Sequence, residues 1–201
     1  EFPQSNNRGA VQILGIDSSP DMIASARKLH PDTDFDVVFS NACLQWVPNH
    51  ERVLPSMLRR LNAGGVAAAQ FTENINLPPH IIMRETACEP KWRQWISEIR
   101  RYYNLGGDNF DVSAYYDLLA PLSAHVDVWE TNYYHALSGY EAILDWYRGT
   151  GLRPYLAQLP DDGLRGEFEQ EVLERIREVY PLQADGTVLI GFPRFFFLAR
   201  M

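Results

Sequence analysis

The stretch Ile13-Leu14-Gly15-Ile16-Asp17-Ser18-Ser19-Pro20-Asp21-Met22 narrows the fold more than any other part of the chain. Val11, Ile13, Leu14 and Ile16 form a short apolar run, the pattern of a parallel strand covered on both faces. Asp17 stands at the strand's carboxyl end, where open α/β sheets bind ligands. Ser18 or Ser19 can cap the next helix, Pro20 suits its first turn and Asp21 its dipole. Asp17 therefore has two readings: a cap or turn residue, or an acceptor for both hydroxyls of a ribose. Met22 likewise suits either a core or a flat ring.

The alternation of strand and helix continues. Met22, Ile23, Ala26 and Leu29 share a face of a helix predicted over residues 19–29. Residues 35–40 read as a second buried strand, and Pro48-Asn49 opens a helix to about Leu61. Asn62-Ala63-Gly64-Gly65 reads as that helix's stop, and Val66 to Phe71 as a third strand. Two strand–helix–strand units in succession predict a parallel sheet with right-handed crossovers. From Pro78 to about Leu119 the pattern is mostly helical, with a break at Gly106-Gly107-Asp108-Asn109. His125 to Thr131 alternates like a half-exposed strand, residues 138–148 and 160–179 read as helices, and Arg194 to Arg200 is a last strand. The expected architecture is α/β: one domain over residues 1–201, a doubly wound, mostly parallel sheet with an antiparallel last strand. A helical cap insertion at 137–190 covers its ligand end.

With 18 Lys plus Arg against 26 Asp plus Glu, the net charge is −8, which argues against a nucleic-acid binder. A few arginines can still make a local site for an anionic small molecule. Two cysteines, Cys43 and Cys88, are too few for a disulfide scaffold, and no apolar run approaches the roughly 20 residues of a membrane span. With no visible signal peptide, a cytoplasmic location is the expectation.

The acidic strand end, Asp36-Val37-Val38-Phe39-Ser40-Asn41, and Leu61-Asn62-Ala63-Gly64-Gly65-Val66 together resemble the class I S-adenosylmethionine-dependent methyltransferases. Narrower likenesses lie in Gly15 to Met22, in Asn41-Ala42-Cys43-Leu44-Gln45-Trp46-Val47-Pro48-Asn49-His50 and in Gly149-Thr150-Gly151-Leu152-Arg153-Pro154-Tyr155-Leu156. With Tyr180-Pro181-Leu182-Gln183 and Phe192-Pro193-Arg194, these are similar to the trans-aconitate 2-methyltransferase family. The family's glycine-rich turn before Asp17, and its third strand between His30 and Phe35, have no counterpart here; both are expected to be segments of a longer chain.

The resemblance implies S-adenosylmethionine as cofactor, S-adenosylhomocysteine as product, and Asp17, Ser18, Met22, Asn41, Ala42, Gln45 and Trp46 as cofactor-binding residues. It also implies a small tricarboxylate as substrate, whose recognition needs cations and hydroxyls. The candidates are His80, Arg84, Tyr133, Tyr134, His135, Arg153 and Arg194, with Arg153 foremost because of its glycine-flanked motif. The implied reaction is methyl transfer to a carboxylate oxygen, giving a monomethyl ester. A carboxylate is ionised near neutral pH, so no general base is expected, only proximity and orientation. His80 and His135 form no recognisable metal-ligand spacing with the carboxylates, so no metal is expected. The alternatives are a methyltransferase for another small metabolite, and a non-catalytic, degenerate methyltransferase-fold binding module.

Overall fold

The computed structural model describes residues 34–97 and 110–201, with Asp21, Ala24, Lys28 and Leu105. The chain divides into two units, residues 1–35 and 36–201. In the first, Asp21, Ala24 and Lys28 are helical and exposed. The predicted strand at 11–17, the glycine break at 106–109, and Asp17, Ser18 and Met22 lie outside the described residues.

The second unit holds, but for Phe35 at its boundary, a four-stranded sheet: β1 Phe35–Asn41, β2 Leu61–Thr72, β3 His125–Leu137 and β4 Val188–Arg200. The strand order is β1-β2-β4-β3, so the last strand in sequence inserts between β2 and β3. β4 is antiparallel to both neighbours, with Thr72 opposite Arg194 and Tyr133 opposite Phe192. Asp36 Oδ1 accepts from Asn62 at 2.9 Å, while Ala42 N–H donates to Gln70 at 2.8 Å, so β1 and β2 run the same way. The expected parallel character therefore lies in β1, β2 and β3, and the reversal is confined to β4. Because β4 sits inside the sheet, two of the three described pairings are nonetheless antiparallel.

Helices α1 His50–Leu58, α2 Pro78–Cys88 and α3 Val112–Leu119 connect or flank these strands. Between β3 and β4 come α4 Glu141–Arg148, α5 Arg153–Leu156 and α6 Asp162–Val179. Asp111 Oδ1 caps α3 by accepting from Ser113 N–H at 2.9 Å, and Asp161 Oδ1 caps α6 through Leu164 N–H at 2.9 Å. Pro78 opens α2, where its missing N–H costs nothing. The expected helix stop at 62–65 is corrected: α1 ends at Leu58, and Leu61 already begins β2. Gly64, within the strand, has φ +78, a left-handed conformation that favours glycine.

Alternation along β4 divides the core in two. Phe195, Phe197 and Ala199 pack with Phe71, Leu54, Tyr115 and Leu119 beneath α1 and α3. Val188 and Ile190 pack with Met83, Tyr147, Phe168 and Val172 from α2, α4 and α6, and with Trp92 in the turn after α2. Each fully buried Phe, Leu or Val here contributes about 1.5–3 kcal/mol over its exposed state. The helices between β3 and β4 thus share their core with α2, which the predicted insertion does not include. They cover the first half of β4. The second half of that face, Arg194, Phe196 and Leu198, is left to line a cavity.

Candidate active site

The cavity, about 480 Å³, lies on the sheet face at the carboxyl ends of β1, β2 and β3. Its apolar part is formed by Phe39, Ala68, Trp129, Phe196 and Leu198, with Trp129 stacked on Phe196 at 5.0 Å. Its polar part is formed by Asn41, Gln70, Tyr133, His135 and Arg194. None of the described residues lining it is acidic, so Arg194 sets its charge. For a chain of net charge −8 this is a local reversal of sign.

Arg194 is held rather than free to swing. Its Nη1 donates to Gln70 Oε1 at 3.0 Å. Its guanidinium carbon lies 5.8 Å from the Tyr133 ring centre and 5.6 Å from that of Phe192. Among the described residues it forms no ion pair with a carboxylate. Gln70 Nε2 and His135 Nε2 are buried without a hydrogen-bond partner among the described residues, and both residues line the cavity. Such orphaned polar atoms cost about 1–3 kcal/mol each unless a ligand or water satisfies them. A held guanidinium with an amide and an imidazole nearby suits a carboxylate ligand. No group of three potential metal ligands occurs among the described residues.

Of the sequence-predicted residues, the cavity brings together Asn41, Tyr133, His135 and Arg194. Ala42 and Gln45 lie on the adjoining loop. Ala42 has φ +51 and its N–H donates to Gln70 O, while Gln45 Nε2 donates to Ala42 O at 2.9 Å. Trp46, on the same loop, is 50% exposed and does not line the cavity. Tyr134, adjacent to Tyr133 on an alternating strand, points to the other face and is 69% exposed.

His80, Arg84 and Arg153 also lie outside the cavity lining. His80 is buried, its ring edge-on to Tyr147 at 5.0 Å. Arg84 Nη1 donates to the Ile75 carbonyl at 2.7 Å, fixing the loop after β2. Arg153 is exposed at the start of α5. Sequence reasoning missed Gln70. The signal was an amide within the apolar strand Ala67-Ala68-Ala69-Gln70-Phe71, where a polar side chain needs a partner.

A protein-family model for a methyltransferase domain matches residues 2–69. A trans-aconitate 2-methyltransferase of Variovorax paradoxus is 37% identical over 211 residues, covering 98% of this chain and 80% of that protein. One from Escherichia coli is 40% identical over 210 residues, covering 95% and 77%. The chain belongs to the trans-aconitate 2-methyltransferase family. Among solved structures, a Haemonchus contortus phosphoethanolamine N-methyltransferase in complex with S-adenosyl-L-methionine matches at TM-score 0.37 and 15% identity, over 82% of this chain and 33% of that one. The alignment with the Variovorax family member spans 211 positions, more than this chain's 201 residues. That protein therefore carries residues inside the aligned stretch that this chain lacks. No helix among the described residues is long and apolar enough to cross a membrane.

Proposed function

We propose that this chain methylates a carboxylate oxygen of trans-aconitate, with S-adenosylmethionine as donor, giving a monomethyl ester. Membership of the trans-aconitate 2-methyltransferase family supports the reaction and substrate. The observation that carries the site assignment is Arg194, a cation held by Gln70 in a cavity lined by no described acidic residue.

The donor supplies a methyl group on a sulfonium, activated for attack. The described residues that fit it are Asn41, which lines the cavity, and Gln45, whose Oε1 is buried without a partner among the described residues. An unpartnered amide oxygen suits the cationic amine at the donor's methionine end. Asp17, Ser18 and Met22 remain assigned to the ribose and adenine end by family resemblance.

The chain's work is positional. Arg194 binds a non-reacting carboxylate, Gln70 Nε2 and His135 Nε2 supply further polar contacts, and the Tyr133 hydroxyl a further donor. Together these leave one carboxylate oxygen free to meet the methyl group in line. Phe39, Trp129 and Phe196 give the attacking oxygen an apolar wall on one side. No proton has to move, because the attacking group is already an anion.

The test is a transfer assay with isotopically labelled S-adenosylmethionine against trans-aconitate, cis-aconitate, citrate and a neutral phenol, with product mass read directly. A monomethyl ester formed chiefly from trans-aconitate is expected. Labelling of the phenol alone would overturn the proposal.

A further inference from the structure

His50 closes the sequence motif that begins at Asn41, yet it lies outside the cavity lining. It is buried, with 1% of its surface exposed, and its ring meets Phe71 and Tyr115 edge-on, each at 5.7 Å. Both ring nitrogens are engaged. Nε2 lies 2.9 Å from the Leu44 carbonyl, and Nδ1 lies 2.6 Å from the Tyr115 hydroxyl.

These contacts fix every proton. A carbonyl can only accept, so His50 Nε2 carries the hydrogen. The Tyr115 oxygen accepts from Leu105 N–H at 3.1 Å, and its own hydrogen goes to the bare Nδ1. The order is Leu105 N–H to Tyr115 O–H to His50 Nδ1, then His50 Nε2–H to Leu44 O. The relay joins α3, α1 and the loop after β1.

That loop is costly to hold. Ala42 adopts φ +51, a left-handed conformation that costs a non-glycine residue about 1–2 kcal/mol. Its N-terminal side is tied to the sheet by Ala42 N–H to Gln70 O at 2.8 Å. Its far side is tied by His50 at Leu44, whose carbonyl also accepts from Val47 N–H at 2.9 Å. Between the two tethers Gln45 bonds back to Ala42.

We propose that Tyr115 and His50 are positioning residues for the donor-binding loop: the tyrosine sets the histidine's tautomer, and the histidine's Nε2–H anchors Leu44 so that Asn41 and Gln45 are presented in one arrangement. The inference rests on the reading of residues 41–46 as part of the donor site. It assigns Tyr115, about 65 residues downstream in a different helix, a role in cofactor affinity that its place in the apolar core does not suggest.

The test is calorimetric titration of S-adenosylhomocysteine into the wild type, Tyr115→Phe, His50→Gln, His50→Leu and Leu119→Ala, with thermal melting of each. Tyr115→Phe removes one oxygen and keeps the ring; it is expected to weaken binding about tenfold, the loss of one buried hydrogen bond. His50→Gln keeps an N–H donor and is expected within about threefold of the wild type, whereas His50→Leu falls about tenfold or more. Leu119→Ala, a core truncation in the same helix, lowers the melting temperature further but leaves affinity within about twofold. The KM for trans-aconitate at saturating donor stays within about twofold in Tyr115→Phe, separating donor positioning from general damage. Affinity that follows melting temperature across all variants, or is unchanged in Tyr115→Phe, overturns the inference alone. A wild type that binds no S-adenosylhomocysteine overturns the donor-site reading together with it.

Discussion

Arg194 Nη1 donates to Gln70 Oε1 at 3.0 Å, an arginine held in a cavity by a neutral amide. An amide orients the guanidinium without cancelling its charge, so the cation stays available to an anionic ligand. Gln70→Glu keeps the shape and replaces the amide with a carboxylate that pairs with Arg194. The KM for trans-aconitate is expected to rise about tenfold or more, with the wild-type and variant melting temperatures within about 5 °C. Steady-state kinetics with differential scanning calorimetry checks both.

Gly151 leaves no room for a side chain. A β-carbon there would lie 2.8 Å from His80 Cε1 and 2.9 Å from Tyr147 Cδ1, with Met83 Cε at 3.3 Å. All three neighbours are buried, so the crowding cannot escape into solvent. Gly151→Ala is expected to destabilise the protein by about 1–3 kcal/mol, read from denaturant unfolding. Gly149→Ala, where a β-carbon would meet nothing within 4 Å, is the matched control and is expected within about 0.5 kcal/mol of wild type.

Glu73, just beyond β2, has its carboxyl pushed up to about 7 by partial burial and then by the nearby Glu130. The folded state therefore holds this proton more tightly than the unfolded chain, whose carboxyl titrates near 4.5. Between those values folding takes up a proton, so stability from this group is present at low pH and is lost as pH rises through about 7. Glu73→Gln is expected to raise the melting temperature at about pH 8, and the gain should shrink toward zero near pH 4.5. Melting curves of both proteins across that range give the comparison.

The strands were legible from their apolar runs, Phe35 to Ser40 and Phe195 to Leu198. Burial was legible only in the second: Phe195 and Phe197 are buried, whereas the expected burial of residues 35–40 is corrected, with Val37 61% and Phe39 69% exposed among the described residues. The boundaries were less so: Leu61 to Gly65 carries glycine and asparagine, residues that signal a stop, yet β2 runs through them. At the site, Asn41, Tyr133, His135 and Arg194 could be chosen because strand ends gather ligands. What sequence could not supply was the direction of each side chain in the folded unit. Arg153 and Arg194 look alike as arginines beside proline, but one is exposed on α5 and the other is stacked inside the cavity. Tyr133 and Tyr134 are equivalent candidates by sequence, and the alternation of β3 separates them. Gln70 and the His50–Tyr115 relay depend on partners 124 and 65 residues away, distances over which local pattern carries no information.

The most direct measurement is kcat/KM for trans-aconitate in Arg194→Ala and Arg153→Ala, side by side with the wild type. With Arg194 as the cation that holds a substrate carboxylate, its loss removes a charge-assisted contact and lowers kcat/KM about 100-fold or more, while Arg153→Ala stays within about threefold. A full loss in Arg153→Ala with Arg194→Ala near wild type would contradict the account and move the substrate away from the cavity on the sheet.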